Sequence, residues 1–577
     1  MSDYIYSSQA QQTGLLIKHI QAIYQVSPPD CQEFYGDWGC LAVSQSHYCG
    51  FMPFENESHI LVVIGAPVFY FRDNDFLTQN DSNVATQSIY QRWIVEDKMQ
   101  WDEDLSGPFT VLLIDKKDAS LQVVTDLMGF IPVYKYQENN QLYMATHIDA
   151  LATTCGQEDQ FDEASLVDFI LNDVITYPYT AYKNTWQLPP SSIISLTSTT
   201  ETAAHYWQPT EENSFTDINH AAKTLREGIE GYVNRVTERM DEVAQFISAG
   251  EDSRSLSGLL PKKLKRDAFI FLDNMNREGR IAKKVAAIYG ANFYAGYRKG
   301  THYLDILEES SQLVGAGHQY THAHSLGFDK QFGLKKYSAV FGGYLSDSLL
   351  KAAYVRKIRG QGRLPFLPDI TLSSETRTKP LKNEVFSQET LAVVNARRLD
   401  RFQQVCKLRP KTAHEWFVLY PTTMRTTIPN FYSTRRLFKS YEPFMSKEVV
   451  KISASVPIEW KLNRRLFNRA MKPYLKPSKW LLHADGRLPY FNWWVNMPIQ
   501  FVIWFYRQIA KKIGLIKGNQ GPWGDWNNVM RNQAWLNKFE EHKKAYKIVG
   551  LNPDDKNNLN RTQQINLLQV MQKLVRK

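Results

Sequence analysis

The stretch "EVAQFISAGEDSRSLSGLLP", residues 242–261, decides the fold of the larger part of this chain. It opens with an apolar run typical of a buried strand, passes through a short polar turn, and continues with the apolar spacing of a helix. A second alternation follows at once, in "RDAFIFL" and then "REGRIAKKVAAIYG". Strands that alternate with helices predict βαβ units, so we expect a doubly wound α/β domain with a parallel sheet.

The polar turn itself, residues 248–253, is a candidate binding site. Ligands of an open parallel sheet bind at this position, because the following helix presents unpaired N–H groups. Ser248 and Ser253 can donate hydroxyl hydrogen bonds, and Gly250 lets the backbone approach an anion closely. Asp252 can hold a magnesium ion between phosphates, although the turn is not a Walker loop. The turn predicts a pyrophosphate and magnesium site; the alternative is a helix N-cap without further function.

The composition is that of an ordinary globular protein. A chain of 577 residues is too long for one hydrophobic core, and 43% apolar with 22% charged residues is a usual folded balance. The net charge of +9 is dispersed, and it fits an anionic substrate as well as nucleic acid. Five cysteines without a CxxC pair indicate free thiols in a reducing compartment. Since the polar amino-terminus does not look like a signal peptide, we expect a cytoplasmic protein.

Three regions of the chain differ in pattern. Residues 1–200 contain short β-branched and aromatic runs split by turn residues, which predicts a β-rich domain. Residues 215–500 contain the alternation of strands and helices and then become mostly helical. We interpret residues 501–577 as a helical extension.

The most apolar segment, residues 491–512, is too short and too interrupted to span a bilayer. One interpretation is a helix packed in the core or between domains. The other is a helix that contacts a membrane surface or a partner, because its aromatic residues precede Arg507, Lys511 and Lys512.

A resemblance to a known family enters with "SAGEDSR". It resembles the Ser-Gly-Gly-x-Asp-Ser loop of the ATP pyrophosphatase superfamily, in particular the asparagine synthetases, which activate a carboxylate as its acyl-adenylate and release pyrophosphate. The positions that match are Ser248, Gly250, Asp252 and Ser253. The positions that depart are Ala249, Glu251 and Arg254.

A second signature of the same enzymes has a counterpart some ninety residues later. "YSAVFGGYLSDSLLKA" resembles their Leu-Ser-Gly-Glu-Gly-(Ser/Ala)-Asp-Glu segment through Gly343, Ser346 and Asp347. Asp252 and Asp347 would each follow a strand of one sheet, so they could share the metal bound to pyrophosphate. The alternative for Asp347 is a solvated helix N-cap.

Further matches extend the resemblance over about residues 35 to 495. "GPFTVLLID", "VVTDLMGFIPVYKY" and "ATHIDAL" resemble the end of the family's glutaminase domain, which implies an amino-terminal αββα sandwich of the N-terminal nucleophile type. The matching positions there are Gly107, Phe109, Asp115, Asp126, Gly129, Pro132 and Tyr134.

The glutaminase signature itself is missing. Family glutaminases begin Met-Cys-Gly, and the freed Cys attacks glutamine with its own amine as base, whereas this chain begins Met1-Ser2-Asp3. The family's glutamine-binding stretches have no counterpart either. We therefore expect a first domain that retains the fold but is catalytically silent, the alternative being Ser2 as an N-terminal nucleophile.

A silent glutaminase is also found in β-lactam and carbapenam synthetases, which couple the acyl-adenylate to an amine of the substrate. Their second signature carries Tyr where asparagine synthetases carry Glu, and Tyr344 lies at that position here. The resemblance implies a phenol that relays a proton when a carboxylate orients it, with Glu375 as the nearest candidate and Glu384 as the next. It also implies a late cation beside the adenylate, for which we favour Arg487.

The sequence thus predicts an ATP- and Mg²⁺-dependent ligase that adenylates a carboxylate and joins it to an amine. Its expected partners are the acid and amine substrates, not nucleic acid, and a homodimer remains open. One alternative is an asparagine synthetase that uses glutamine or ammonia. The other is a pseudoenzyme that serves as a scaffold or nucleotide sensor.

Overall fold

The structure is a computed structural model that describes residues 2–45, 47–197, 199–355, 364, 366–370, 380–516, 519–541 and 558–575. The strands of the amino-terminal part are β1 (Tyr4–Ser7), β2 (Cys31–Gly36), β3 (Gly39–Ser44), β4 (Phe54–Glu55), β5 (His59–Gly65), β6 (Val68–Phe69), β7 (Leu105–Ser106), β8 (Phe109–Asp115), β9 (Ser120–Thr125), β10 (Tyr134–Glu138), β11 (Gln141–Ala145), β12 (Thr185–Gln187), β13 (Ser192–Leu196) and β14 (Glu201–His205). Its helices are α1 (Leu15–Gln21), α2 (Val84–Tyr90), α3 (Trp101–Asp104), α4 (Ile148–Thr154) and α5 (Glu163–Asn172).

The carboxy-terminal part has fewer strands and more helices. Its strands are β15 (Glu242–Phe246), β16 (Lys265–Leu272), β17 (Asn292–Tyr297), β18 (Val340–Phe341) and β19 (Ser440–Tyr441). Its helices are α6 (Ile218–Thr237), α7 (Glu251–Leu259), α8 (Arg277–Tyr289), α9 (His302–Asp305), α10 (Leu307–Val314), α11 (Phe328–Gln331), α12 (Ser346–Leu350), α13 (Gln388–Leu408), α14 (Ala413–Leu419), α15 (Pro429–Leu437), α16 (Lys447–Ser455), α17 (Ile458–Lys461), α18 (Arg465–Leu475), α19 (Trp493–Lys512), α20 (Trp526–Met530), α21 (Gln533–Glu541) and α22 (Arg561–Val575).

Two six-stranded antiparallel sheets form the amino-terminal part, in the orders β12-β10-β11-β1-β3-β2 and β14-β13-β9-β8-β5-β4. Alternate residues of each strand face the other sheet, so Tyr6 and Leu41 share a core with Val62. The opposite faces are covered by helices, with Ile20 of α1 packed on one sheet and Ile89 of α2 on the other. The αββα sandwich that the sequence predicted is confirmed.

A five-stranded parallel sheet, in the order β17-β16-β15-β18-β19, forms the core of the carboxy-terminal part. Side chains of β16 alternate between two apolar clusters: Phe271 packs with Phe328 on one face, and Ile270 with Val285 of α8 on the other. The doubly wound α/β class is therefore confirmed. Since β15 and β18 are adjacent and parallel, the turns that follow them meet at one edge of the sheet.

The last helix, α22, packs back onto the amino-terminal part. Leu568 and Met571 are fully buried in a cluster that also contains Phe169 of α5. Asn566 reinforces the contact, because its Nδ2 donates to Asp173 Oδ1 at 2.7 Å. None of the helices in the described ranges combines the length and the apolar character that crossing a bilayer requires.

Candidate active site

The turn between β15 and α7 is closed by its own hydroxyl groups. The Ser248 N–H donates to Ser253 Oγ at 3.1 Å, and the Gly250 N–H donates to Ser248 Oγ at 3.0 Å. A side chain at position 250 would place its Cβ 2.9 Å from Ser248 Oγ, so it would displace the hydroxyl that accepts the Gly250 N–H. The predicted Ser248, Gly250 and Ser253 therefore form one compact turn at the start of a nine-residue helix.

The turn after β18 lies directly against the first turn. A Cβ at Gly343 would lie 3.2 Å from the Cβ of Asp252, and a Cβ at Gly342 would overlap the carboxylate of Glu442. The next buried residue, Leu345, has a φ of 73°, which is an unfavourable backbone conformation for leucine. Such conformations cluster at functional sites, since the surrounding structure must hold them in place.

The two turns border a cleft of about 470 Å³ at the carboxyl edge of the sheet. Four of the predicted residues line it together: Asp252, Gly343, Tyr344 and Asp347. The arrangement is the one expected when polar turns follow two adjacent parallel strands.

Cations already accompany both aspartates. Lys351 Nζ lies 2.7 Å from each carboxylate oxygen of Asp252, and Arg425 Nη2 lies 3.5 Å from Asp347 Oδ1. The described residues contain no group of three or more metal-ligating side chains. Mg²⁺ commonly takes one or two carboxylates and completes its shell with phosphate oxygens and water. The pair Asp252 and Asp347 fits a magnesium ion that arrives with a nucleotide, and Lys351 would compete with that ion for Asp252.

Tyr344 is fixed at both ends. Its backbone N–H donates to Glu442 Oε2 at 2.9 Å, its hydroxyl lies 3.0 Å from Thr427 Oγ1, and its ring packs 4.5 Å from the Arg425 guanidinium carbon. Burial raises the pKa of the Tyr344 phenol, so it stays protonated at neutral pH. A phenol in this state can pass a proton along a hydrogen bond but is not a standing base.

Glu251, which departs from the family pattern, lies at the centre of a buried charge cluster. Its carboxylate contacts Arg464 Nε at 2.6 Å, Arg487 Nη1 at 3.2 Å and Lys351 Nζ at 3.4 Å. Burial opposes ionisation, but these cations lower the pKa of Glu251 well below its usual range. The carboxylate is therefore ionised and joins three distant segments at the start of α7.

Arg254, a second departure, binds the backbone instead. Its buried guanidinium donates to the carbonyl oxygens of Leu481 at 2.6 Å, Leu482 at 2.8 Å and Ala249 at 2.9 Å. It thus holds the segment around residue 482 against the turn. Glu251 and Arg254 both attach the turn to the chain beyond α18, through Arg487 and through the carbonyls of Leu481 and Leu482.

The other predicted site residues are less central. Arg487 reaches the start of α7 but pairs with Glu251 and with Asp485, whose Oδ2 lies 2.7 Å from Arg487 Nε. Glu375 lies outside the described residues, and Glu384 is exposed on the loop before α13. In the described part of the chain, the hydroxyl partner of Tyr344 is Thr427 and not a carboxylate.

Three buried groups of the site are not marked by any of the motifs in the sequence. Lys351 and Arg425 approach the two aspartates, and Glu442 accepts the N–H of Tyr344. Burial raises the pKa of Glu442 to about 8. Glu442 lies in the stretch "YEPFM", and nothing in the spacing of that stretch indicates that its carboxyl lies beneath the second turn.

The amino-terminus is locked into the carboxy-terminal part. Ser2 and Asp3 are buried, and the Ser2 carbonyl accepts a hydrogen bond from Arg435. Asp3 Oδ1 lies 2.7 Å from Arg436 Nη2 and 3.2 Å from Arg435 Nη2. Burial opposes the charge, but both guanidinium groups lower the pKa of Asp3 well below its usual range. Ser2 is only 2% exposed in this position.

Comparison with known proteins gives the class of the amino-terminal part. A model of the glutamine amidotransferase domain family matches residues 69–207, which lie within the αββα sandwich and the linker after it. This part of the chain is therefore similar to glutamine amidotransferase domains. A curated relative, a putative glutamine-hydrolyzing asparagine synthetase 2 of Methanocaldococcus jannaschii, is 20% identical over 216 residues. The predicted resemblance to asparagine synthetase-like proteins is confirmed.

The relatives are distant. The alignment with the M. jannaschii protein covers 36% of this chain, which spans about two fifths (41%) of the length of that relative. The glutamine phosphoribosylpyrophosphate amidotransferase of B. subtilis, complexed with ADP and GMP, aligns at 8% identity over 52% of this chain and 92% of its own, with a TM-score of 0.26. The structure of an allosteric regulatory enzyme of purine biosynthesis aligns at 8% identity over 51% and 80%, with a TM-score of 0.25.

Proposed function

We propose that this protein is an ATP-dependent ligase that activates a carboxylate and couples it to an amine. The observation that carries the proposal is the meeting of two polar turns at adjacent strands, with Asp252 and Asp347 lining one cleft. The overall reaction converts an acid, an amine and ATP into an amide, AMP and pyrophosphate. The ammonium form of the amine releases two protons in the process. The likeness to an asparagine synthetase supports the same reaction class.

Residues of the chain have separate roles in this proposal. ATP with Mg²⁺ supplies the adenylyl group and a metal-neutralised pyrophosphate leaving group. The turn of Ser248, Gly250 and Ser253 binds phosphate oxygens, and the two aspartates hold the metal. Tyr344 stays protonated and relays the proton that the attacking amine loses, with Thr427 Oγ1 as the next group in line.

We further propose that the amidotransferase domain does not hydrolyse glutamine. The buried Ser2 and the ion pairs of Asp3 with Arg435 and Arg436 occupy the place where an N-terminal nucleophile would have to be free. A second candidate is a glutamine-hydrolysing asparagine synthetase, which the family model and the M. jannaschii relative favour.

Product analysis separates these candidates. The full-length protein, incubated with ATP, Mg²⁺ and a panel of acids and amines, is expected to release AMP and pyrophosphate but no glutamate from glutamine. Release of ADP and phosphate would contradict the ligase proposal. Glutamate release that is lost in Ser2→Ala would favour the second candidate. Tight ATP binding without turnover across the panel would favour a nucleotide-sensing pseudoenzyme.

A further inference from the structure

Arg425 is a buried cation at the cleft whose hydrogen-bonding capacity is largely unused. Its side chain is 6% exposed, and its guanidinium packs between the rings of Tyr344 and Tyr354. Among the described residues, Arg425 Nε and Nη1 have no acceptor, although the guanidinium contacts Asp347 through Nη2 at 3.5 Å and hydrogen-bonds to Tyr354. Buried donors without partners are costly unless a ligand supplies acceptors. The planar fork of arginine matches a carboxylate in two parallel hydrogen bonds.

The carboxy-terminal extension contributes an aromatic wall to the same cleft. Trp523 lies against His324 with ring centroids 4.3 Å apart, and Trp526 lies against Tyr303 at 4.4 Å. The segment is anchored at Gly524, whose N–H donates to the Tyr303 hydroxyl at 3.2 Å and where a Cβ would overlap the Tyr303 ring. Aromatic faces of this kind bind flat or ring-shaped groups.

We propose that the cleft binds a carboxylic acid whose carboxylate is carried on a ring. Arg425 holds the carboxylate, and Trp523 and Trp526 contact the ring. This inference rests on the proposed ligase function, since it names the class of acid that would be activated beside Asp252 and Asp347. Aromatic acids and cyclic sugar acids share the required chemistry, whereas an open-chain acid leaves the aromatic wall without a partner.

Calorimetric titration of the full-length protein with benzoate, glucuronate and glutarate tests the pocket directly. We expect at least one of the two ring acids to bind about 10-fold more tightly than open-chain glutarate. Arg425→Gln should weaken that binding by about 10- to 100-fold, the range of a charged hydrogen-bond pair. Trp523→Ala should weaken it as well, and Trp523→Phe should restore it. The matched control is Arg72→Gln, which removes a half-exposed arginine of the amino-terminal part and should change nothing.

Each outcome of the titration supports or overturns one part of the proposal. Binding of benzoate alone assigns aromatic acids, and binding of glucuronate alone assigns sugar acids. Preference for glutarate, no binding of either ring acid, or unchanged affinity in Arg425→Gln overturns the pocket. If ring acids bind but none supports pyrophosphate release, the pocket stands and the ligase function fails. If only open-chain acids support release, the function stands and the pocket fails.

A separate observation concerns α19, which turns its polar side inward. Its buried residues are Asn496, Gln500 and Ala510. Asn496 attaches the helix to the preceding loop, since its Oδ1 accepts from the Leu488 N–H at 2.7 Å and its Nδ2 donates to the Phe491 carbonyl at 2.9 Å. Its exposed side is large and apolar, with Trp494, Phe501, Val502, Phe505, Tyr506 and Ile509. The exposed apolar side of α19 favours the interpretation of a helix that contacts a surface over that of a helix packed in the core.

The charges around this face match an anionic surface. α19 contains no Asp or Glu and ends with the exposed Lys511 and Lys512, whereas Arg507 lies on the inward side with Asn496 and Gln500. Phe366 packs on Phe501 with ring centroids 5.2 Å apart, and the neighbouring Leu367, which is exposed, widens the apolar patch. Aromatic residues combined with lysine and arginine are typical of helices that lie in a bilayer interface.

We propose that α19 lies on an anionic lipid bilayer, with its apolar face among the acyl chains and its basic end among the headgroups. A second copy of the chain would bring the same excess of positive charge against itself, whereas anionic lipid neutralises it. The interaction is peripheral, because α19 is held to the protein through its polar side.

Sedimentation with vesicles tests this surface. The full-length protein should bind vesicles of phosphatidylcholine that contain about 30% phosphatidylglycerol, roughly the anionic content of a charged leaflet. It should bind vesicles of pure phosphatidylcholine several-fold less. Val502→Glu with Phe505→Glu should abolish binding, while Val393→Glu, an exposed apolar residue of α13, should not. Equal sedimentation of the double variant overturns the proposal. The proposal is also overturned if the protein does not bind vesicles and light scattering shows a dimer that is lost in the double variant.

Discussion

Asp252→Asn is expected to reduce pyrophosphate release by about three orders of magnitude, because a metal that neutralises the leaving group supplies several kcal/mol. The amide keeps the size of the side chain but loses the charge that holds the metal. Asp252 contacts Lys351 at 2.7 Å, and Lys351 also contacts Glu251 at 3.4 Å. Lys351 therefore keeps a partner in the variant, and the turn should stay folded. The measurement is the initial rate of pyrophosphate release at saturating ATP.

Asp118→Asn is the matched control, since Asp118 is exposed in the turn between β8 and β9 and does not line the cleft. It should retain the wild-type rate. Asp347→Asn should also lower the rate. It should disturb its neighbours less than Asp252→Asn does, because Asp347 is 56% exposed and lies 3.5 Å from its partner Arg425. A rate for Asp252→Asn within tenfold of wild type, at equal thermal midpoint, would remove Asp252 from the metal site.

The fold could be predicted from the sequence because its evidence is local. The apolar run of β15, the turn after it and the spacing of α7 are contiguous, so their order predicts a parallel βαβ unit. The position of the binding turns follows from the same order, since both come after parallel strands. The amino-terminal sandwich follows from the family resemblance and is confirmed by two packed antiparallel sheets.

The completion of the site could not be predicted because it depends on tertiary contacts. Arg425 lies 173 positions after Asp252 in the chain, on a turn before α15, and no spacing rule relates the two residues. In the sequence of the turn alone, Glu251 and Arg254 are departures from the family pattern. Their roles depend on distant partners, which are Arg464 and Arg487 for Glu251 and the carbonyl of Leu481 for Arg254.

Asp3→Asn is expected to destabilise the folded protein by about 3–5 kcal/mol, the usual cost of removing one partner of a buried ion pair. Asp3 is fully buried, and its carboxylate neutralises the buried Arg435 and Arg436. The amide leaves both cations without a counter-charge. The measurement is the midpoint of urea unfolding. Because a chain of several domains need not unfold in one step, the hydrogen exchange of β1 and α15 should be measured as well. Both elements should lose protection together.

The pH dependence identifies the cause. The pKa of Asp3 is lowered in the folded state, so its contribution is complete above the ordinary carboxyl pKa of about 3.9 and is lost as the pH falls toward the folded value. The difference in free energy of unfolding between wild type and Asp3→Asn should therefore be constant from about pH 8 to 5 and shrink below about pH 4.

Two further variants serve as controls. Asp115→Asn, which removes a half-buried pair with His59, should cost under about 1 kcal/mol. Adding Arg436→Gln to Asp3→Asn should cost less than the sum of the two changes, since the second change removes a cation that the first left unpaired. Strict additivity would mean that the pair does not hold the amino-terminus in place.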